Sequence, residues 1–415
     1  MRHLLLIALG VVAAAELAAQ PAAAPRRFEV AAWVDHFDFV GCRQDGKLLF
    51  DTETAEGNAK ILDHVQETGA TTILWRNCAG ATMRYPSRLE SWHGSDPLDK
   101  RHVPSNVPLY GWVRYGNARP DILESALARC RERGLRPGVH WPFEENHWAG
   151  FTIGGWNLEH PQFWSCTSDG TPWWGRASLG FPEVMRHKLG LFDELLERGA
   201  QSVFIDFFRN GGWSPAYEYT EPVKEAYRKQ HGAEPPAAAD DPQWCRHVAG
   251  TVTELLRQMR THAKANGRQV EILVGIPGIA PLSDRPIITT GADWQTWVRE
   301  GLVDTVVINS VNFGRDDPYG STKALYEQVL GVTRGRCKVL CPVSAYNYHN
   351  AGVQEYMKAT GENFAQVATR LTELAWEVGA DGISLECVDY NNYPAAVREA
   401  LRGLAEGKCK FVKAQ

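Results

Sequence analysis

Ser202-Val-Phe-Ile-Asp-Phe-Phe-Arg-Asn210 is an apolar run, rich in β-branched and aromatic residues, that ends on a carboxylate and a guanidinium. The stretch before it, Pro182–Gly199 (PEVMRHKLGLFDELLERG), has helical periodicity, with Pro at its start and Gly just past its end. A helix feeding a buried strand is one step of an alternating α/β fold. Burying a carboxylate without partners costs several kcal/mol, so Asp206 belongs at a polar strand end or in a paired site. In a barrel of parallel strands, the C-terminal strand ends are where active sites are built.

The same alternation recurs along the chain. Strands are expected at 28–35, 71–77, 136–141, 202–209, 270–276, 303–310, 338–344 and 381–388. Helices are expected at 57–67, 121–133, 182–198, 244–265, 293–300, 322–333, 363–378 and 394–405. Crossover helices link parallel neighbours, so the pattern predicts a single (β/α)8 TIM barrel, class α/β. An open doubly wound sheet would want a Gly-rich phosphate turn after an early strand, and no G-x-G-x-x-G is present. Helix-to-strand connections are tight (Gly69-Ala70, Gly134-Leu135, Gly199-Ala200-Gln201), whereas strand-to-helix connections such as 78–120, 142–181 and 210–243 are long. One elaborated end, the C-terminal face, is therefore expected.

Composition narrows the function. The net charge of -5 gives no basic footprint for nucleic acid. Arg2 and His3 precede the apolar run Leu4–Ala15 and the small-residue tract Glu16–Pro25, which reads as a signal peptide over residues 1–24, cleaved between 15 and 24, ahead of a barrel domain over 25–410. That run is short for a bilayer span; a secreted or periplasmic protein with no membrane span is expected. The nine cysteines form no C-x-x-C pair, and Cys337 and Cys341 are too far apart along a strand to bridge. Buried thiols, not a metal site, are the expectation. Fifteen tryptophans, several in the long loops, suit both a core and a sugar-stacking cleft.

Asp169–Asn210 (DGTPWWGRASLGFPEVMRHKLGLFDELLERGAQSVFIDFFRN) resembles the secreted glycosyl-hydrolase-like family 10 barrels, which share a passage of small loop, proline-started helix and strand ending in Asp. Gly134–Trp141 (GLRPGVHW) is similar to their third-strand motif and Ala31–His36 (AAWVDH) to their first. The resemblance implies a clan-A-like (β/α)8 barrel acting on an oligo- or polysaccharide. Retaining barrels of that broad clan carry a Glu at the end of strand seven; Lys338–Ser344 (KVLCPVS) has no carboxylate, so that role does not transfer. Barrels of the α-galactosidase type use an Asp at strand four, a position that Asp206 matches.

Glycosidic cleavage uses two carboxyl groups, roughly 5 Å apart for retention and roughly 6.5–9.5 Å apart for inversion. Asp206 at strand four and Glu386 at strand eight are the expected catalytic pair, with Glu145 in reserve. Glu144, Asp316, Asp317 and Asp389 are further acids near strand ends. Glu271 and Asp304 begin their strands, on the stability face, and are excluded. If Val203, Ile205 and Phe207 face the helices, Phe204 and Asp206 face the barrel interior; the same parity turns Ser384 and Glu386 inward. Trp33, Asp35, His36, Trp75, Arg76, His140, Trp141, Glu145, Arg209, Asn309 and Tyr346 are the expected substrate-binding residues around the mouth. For Asp206 the competing structural role is a salt bridge to Arg209 or Arg76. No cofactor is expected: the loops after strands seven and eight are aromatic and amide-rich, not the Gly-rich kind that holds phosphate. Metal-dependent hydrolysis would want H-x-H at strand one, where the sequence reads Asp35-His36-Phe37-Asp38. A non-catalytic glycan-binding barrel stays open, since a fold does not fix a function.

Overall fold

A computed structural model describes residues 28–34, 43–44, 47–48, 54–79, 82–90, 121–143, 154–207, 213–313, 317–343, 351–385 and 402–403. Eight parallel strands close into a barrel in chain order. They are β1 (Glu29–Val34), β2 (Thr72–Arg76), β3 (Arg136–Pro142), β4 (Ser202–Asp206), β5 (Glu271–Ile276), β6 (Thr305–Ile308), β7 (Lys338–Pro342) and β8 (Gly382–Leu385). Seven helices follow strands β1 to β7: α1 (Ala55–Glu67), α2 (Ile122–Glu132), α3 (Pro182–Glu197), α4 (Pro242–Ala265), α5 (Trp294–Arg299), α6 (Pro318–Thr333) and α7 (Phe364–Glu377). The expected helix over 394–405 lies outside the described residues apart from 402–403.

Local chemistry sets these boundaries. Thr54, Asp121 and Asp317 cap α1, α2 and α6 by accepting from the backbone N–H of Gly57, Glu124 and Gly320. Asp317 with Pro318 behind it starts α6 four residues before the expected Thr322, because Pro is tolerated in a first turn where its missing N–H would have no partner. At the other ends, Gly134 (φ 70°) and Gly199 (φ 89°) take the left-handed turn. This lets Leu135 donate to Cys130 O and Ala200 to Leu195 O, so the chain drops from helix to strand within a few residues. The opposite end is elaborated, as expected. It carries structure that the sequence patterns did not single out: a hairpin of Trp164–Cys166 with Pro172–Ala177, and helices Gly155–Glu159, Glu221–His231, Arg285–Thr290 and Ala351–Thr360.

Alternation along each strand sorts the core into two bodies. Val203, Ile205, Ile272, Val274, Val306, Val339 and Ile383 pack outward against the helices, while Ala31, Trp33, Leu74, Phe204, Leu273, Val307 and Leu340 fill the barrel axis. Parallel registers such as Leu74↔Gly138, Gly138↔Ser202 and Phe204↔Leu273 stagger the inward side chains into levels drawn from alternate strands. At the strand beginnings one level consists of Glu29, Arg136, Glu271 and Lys338, acid and base by turns. Arg136 bonds both carboxylates, and Lys338 reaches Glu29 at 3.3 Å and Glu271 at 2.9 Å. Thr72 and Thr305, one level in, donate to Glu29 and Glu271. Burial works against the Glu271 carboxylate, yet Thr305, Arg136 and Lys338 outweigh it and hold the pKa below the ordinary value. The exclusion of Glu271 and Asp304 from the catalytic end agrees with this placement. Among the described residues, Cys78, Cys130, Cys166, Cys245, Cys337 and Cys341 form no disulfide with one another.

Candidate active site at the C-terminal mouth

The polar levels resume above the apolar plug. Trp33, His140 and Gly275 share one level, and the next inward residues are Arg76 on β2, Asp206 on β4 and Asn309 just past β6. Asp206 is 1% exposed and His140 is fully buried. His140 Nε2 lies 3.4 Å from Asp206 Oδ2, placing an imidazole N–H donor against the carboxylate. The His140 ring is held between Phe204 (centroids 5.2 Å, 21°) and Trp33 (5.2 Å, 41°), and Trp33 tilts onto Phe204 at 4.4 Å. Three rings from three strands therefore fix the floor on which the Asp206–His140 pair stands.

Arg76 is fully buried, and its Nε donates to Cys78 O at 2.6 Å. Gly275 leaves room for Asn309: a Cβ there would stand 2.8 Å from Oδ1 and 2.9 Å from Nδ2 of that amide. Asn309 Oδ1 and Trp33 Nε1 are both buried and, among the described residues, accept or donate no hydrogen bond. An acceptor and a donor are thus left unspent in the level of Asp206 and the level beneath it. A buried polar group without a partner costs about 1–3 kcal/mol, so such groups in a native structure call for a specific reason.

Of the expected binding residues, Trp33, Arg76, His140 and Asn309 join Asp206 at this mouth. Trp75 and Trp141 do not. Both are buried on the other side of the sheet, among the side chains that pack on the helices, with Trp141 edge-on to Phe143. Leu74 and His140 take the inward phase of β2 and β3, so their immediate neighbours must point out. Asp35, His36, Glu145, Arg209, Tyr346 and Glu386 lie outside the described residues, as do Glu144, Asp316 and Asp389. Asp317 is used as a helix cap. Among the described residues no group of three or more His, Cys, Asp or Glu side chains is arranged to hold a metal ion.

Sequence reasoning missed a second buried carboxylate behind this mouth. Glu218, fully buried in the loop after β4, accepts from Ser165 Oγ (3.0 Å) and Ser178 Oγ (2.7 Å) and pairs with Arg176 at 3.1 Å. Arg176 also donates to Ser214 O and lies 5.7 Å from the Trp213 ring centroid. Ser165, Arg176 and Ser178 come from the loop after β3. The cluster therefore ties together the two loops that flank Asp206, and nothing in the spacing of these residues announces it.

Residues 181–313 match the family glycosyl hydrolase-like 10. The matched segment runs from α3 through β6 and so contains Asp206 and Asn309. Among solved structures, the fold resembles the PgaB (BpsB) glycoside hydrolase domain from Bordetella bronchiseptica, with a TM-score of 0.58 and 13% identity over 92% of this chain and 99% of that one. It also resembles the β-galactosidase from the psychrophilic Marinomonas ef1, with a TM-score of 0.53 and 10% identity over 93% of this chain and 60% of that one. No curated protein matches the sequence. The resemblance expected from Asp169–Asn210 is borne out by the family match, and the barrel by both structures.

Proposed function

We propose that this protein is an exported glycoside hydrolase that cleaves an oligo- or polysaccharide at the C-terminal mouth of its barrel. The observation that carries the reading is Asp206: a buried carboxylate aimed into the mouth, braced by His140, beside the unspent Asn309 Oδ1 and Trp33 Nε1. Asp206 acts as nucleophile or charge stabiliser at the anomeric carbon, with the His140 imidazole held against it. Glu386 serves as general acid, protonating the glycosidic oxygen as the C–O bond breaks, with water completing the reaction. Support for Glu386 comes from Ser384, which faces inward two residues earlier on β8. Arg76, Asn309 and Trp33 bind hydroxyls around the scissile bond. Export rests on the charged, apolar and small-residue succession of residues 2–25.

The test is a polysaccharide panel, followed by Asp206→Asn and Glu386→Gln on whichever glycan is cleaved, each variant checked for an unchanged fold. Loss of a positioned catalytic group lowers turnover by about 10²-fold or more. Near-normal turnover in Asp206→Asn refutes the assignment; near-normal turnover in Glu386→Gln alone moves the acid to Glu145 or Asp389. Binding without cleavage, insensitive to Asp206→Asn, establishes a glycan-binding barrel instead.

A further inference from the structure

At the N-terminal end of the barrel, a cleft of about 870 Å³ opens between the strand beginnings and the C-terminal end of α4. Five cationic side chains line it: Arg136 and Lys338 from the barrel floor, and Arg260, Lys264 and Arg268 from α4 and the turn after it. Glu271 and Asp304 are the acids of its lining, and Glu29 lies beneath, which leaves two positive charges in surplus on a protein whose net charge is -5.

The hydrogen bonds show where that surplus resides. Glu29 and Glu271 are occupied by Arg136, Lys338 and the two threonines below them. Asp304 takes Arg260 and the Ile272 N–H. Arg260 spends its remaining donors on Leu302 O and Val270 O. Lys264, exposed, bonds to no described residue, and Arg268, also exposed, uses Nη1 alone, on Leu196 O. The uncompensated charge therefore belongs to Lys264 and Arg268, next to the exposed amides of Gln201 and Gln269 on the same rim.

We propose that this cleft binds a sugar that carries an anionic group, phosphate or carboxylate. Arg268 and Lys264 hold the anion, and Gln201 and Gln269 bond the hydroxyls. A guanidinium and an ammonium with donors to spare are the groups that recognise such oxyanions. The volume argues for more than a bare ion, since small-molecule sites occupy about 300–1,000 Å³. The acids do not repel the ligand, because Arg136 and Lys338 neutralise Glu29 and Glu271 and Arg260 neutralises Asp304. The site stands at the opposite end of the barrel from Asp206 and does not depend on the glycosidase reading.

Calorimetric titration of the whole protein at low salt with glucose 6-phosphate, glucuronate, inorganic phosphate and glucose tests it. The expected result is one-to-one binding of glucose 6-phosphate or glucuronate, weakened by salt as screening shortens the field, with no binding of glucose. Lys264→Glu and Arg268→Glu should each weaken binding at least about tenfold, the loss of one charge-assisted bond. Lys264→Glu decides the matter even if Arg268→Glu disturbs the α3 end it bonds. Affinity for inorganic phosphate equal to that for the sugar phosphate overturns the sugar assignment. No anion binding, or binding unchanged in Lys264→Glu, overturns the site.

Discussion

Replacing Arg136 with Met keeps the aliphatic stem in the barrel floor and removes one of the two cations that bond both Glu29 and Glu271. Those carboxylates have side chains only 10% and 12% exposed, and Lys338, 41% exposed, would be left to serve both. Removing one partner of a buried pair costs about 3–5 kcal/mol. The remaining ammonium and its access to water put Arg136→Met at the lower end, about 3 kcal/mol at neutral pH. The loss carries a pH signature. Glu271 has a lowered folded pKa, so its contribution to stability is complete above the ordinary value of 4.5 and is lost as pH falls through the folded value. Below that value Glu271 is protonated and needs no cation, so the gap between Arg136→Met and the parent should shrink to under about 1 kcal/mol. Urea unfolding of both proteins, followed by tryptophan fluorescence from neutral to acid pH, measures this. A gap under about 0.5 kcal/mol at neutral pH, below what such a network should supply, refutes the reasoning, as does a gap that ignores pH.

Gly138→Ala should destabilise by about 1–3 kcal/mol, through overpacking: its Cβ would stand 2.7 Å from Leu74 Cδ2 and 2.8 Å from the Ile73 carbonyl, and would also press on Ser202 Oγ. Thermal unfolding checks it, and an unchanged midpoint would mean the level can expand. Glu218→Ala should cost about 3–5 kcal/mol by leaving Arg176 in a buried cluster without its carboxylate. Limited proteolysis should then cut the loops after β3 and β4 first, and global unfolding without such early cuts would contradict the role assigned to Glu218.

The barrel was legible because its strands are buried on both sides and its helices keep their stop signals. Each expected strand start falls within two residues of the observed one, the shift being largest at β6, where polar Asp304 and Thr305 blur the edge of the apolar run. That same double-sided burial hid part of the site. Thr72–Arg76 reads TILWR, apolar on both faces, so the period-two signal that would have turned Trp75 outward is absent from its own strand. In Ser202–Asp206 the condition set on Val203, Ile205 and Phe207 holds, and Phe204 and Asp206 take the inward phase. The Glu218 cluster joins positions 165, 176, 178 and 218 through the folding of two loops, and no local period encodes contacts of that separation.

Because Glu218 comes from one loop and Arg176, Ser165 and Ser178 from another, the two loops are a single transplantable part. A chimaera that takes either loop alone from a relative would strand a carboxylate or a guanidinium in a dry interior, whatever sugar contacts it brought along. Diversification of the mouth on this scaffold is therefore expected to proceed by paired exchange of the segments after β3 and β4.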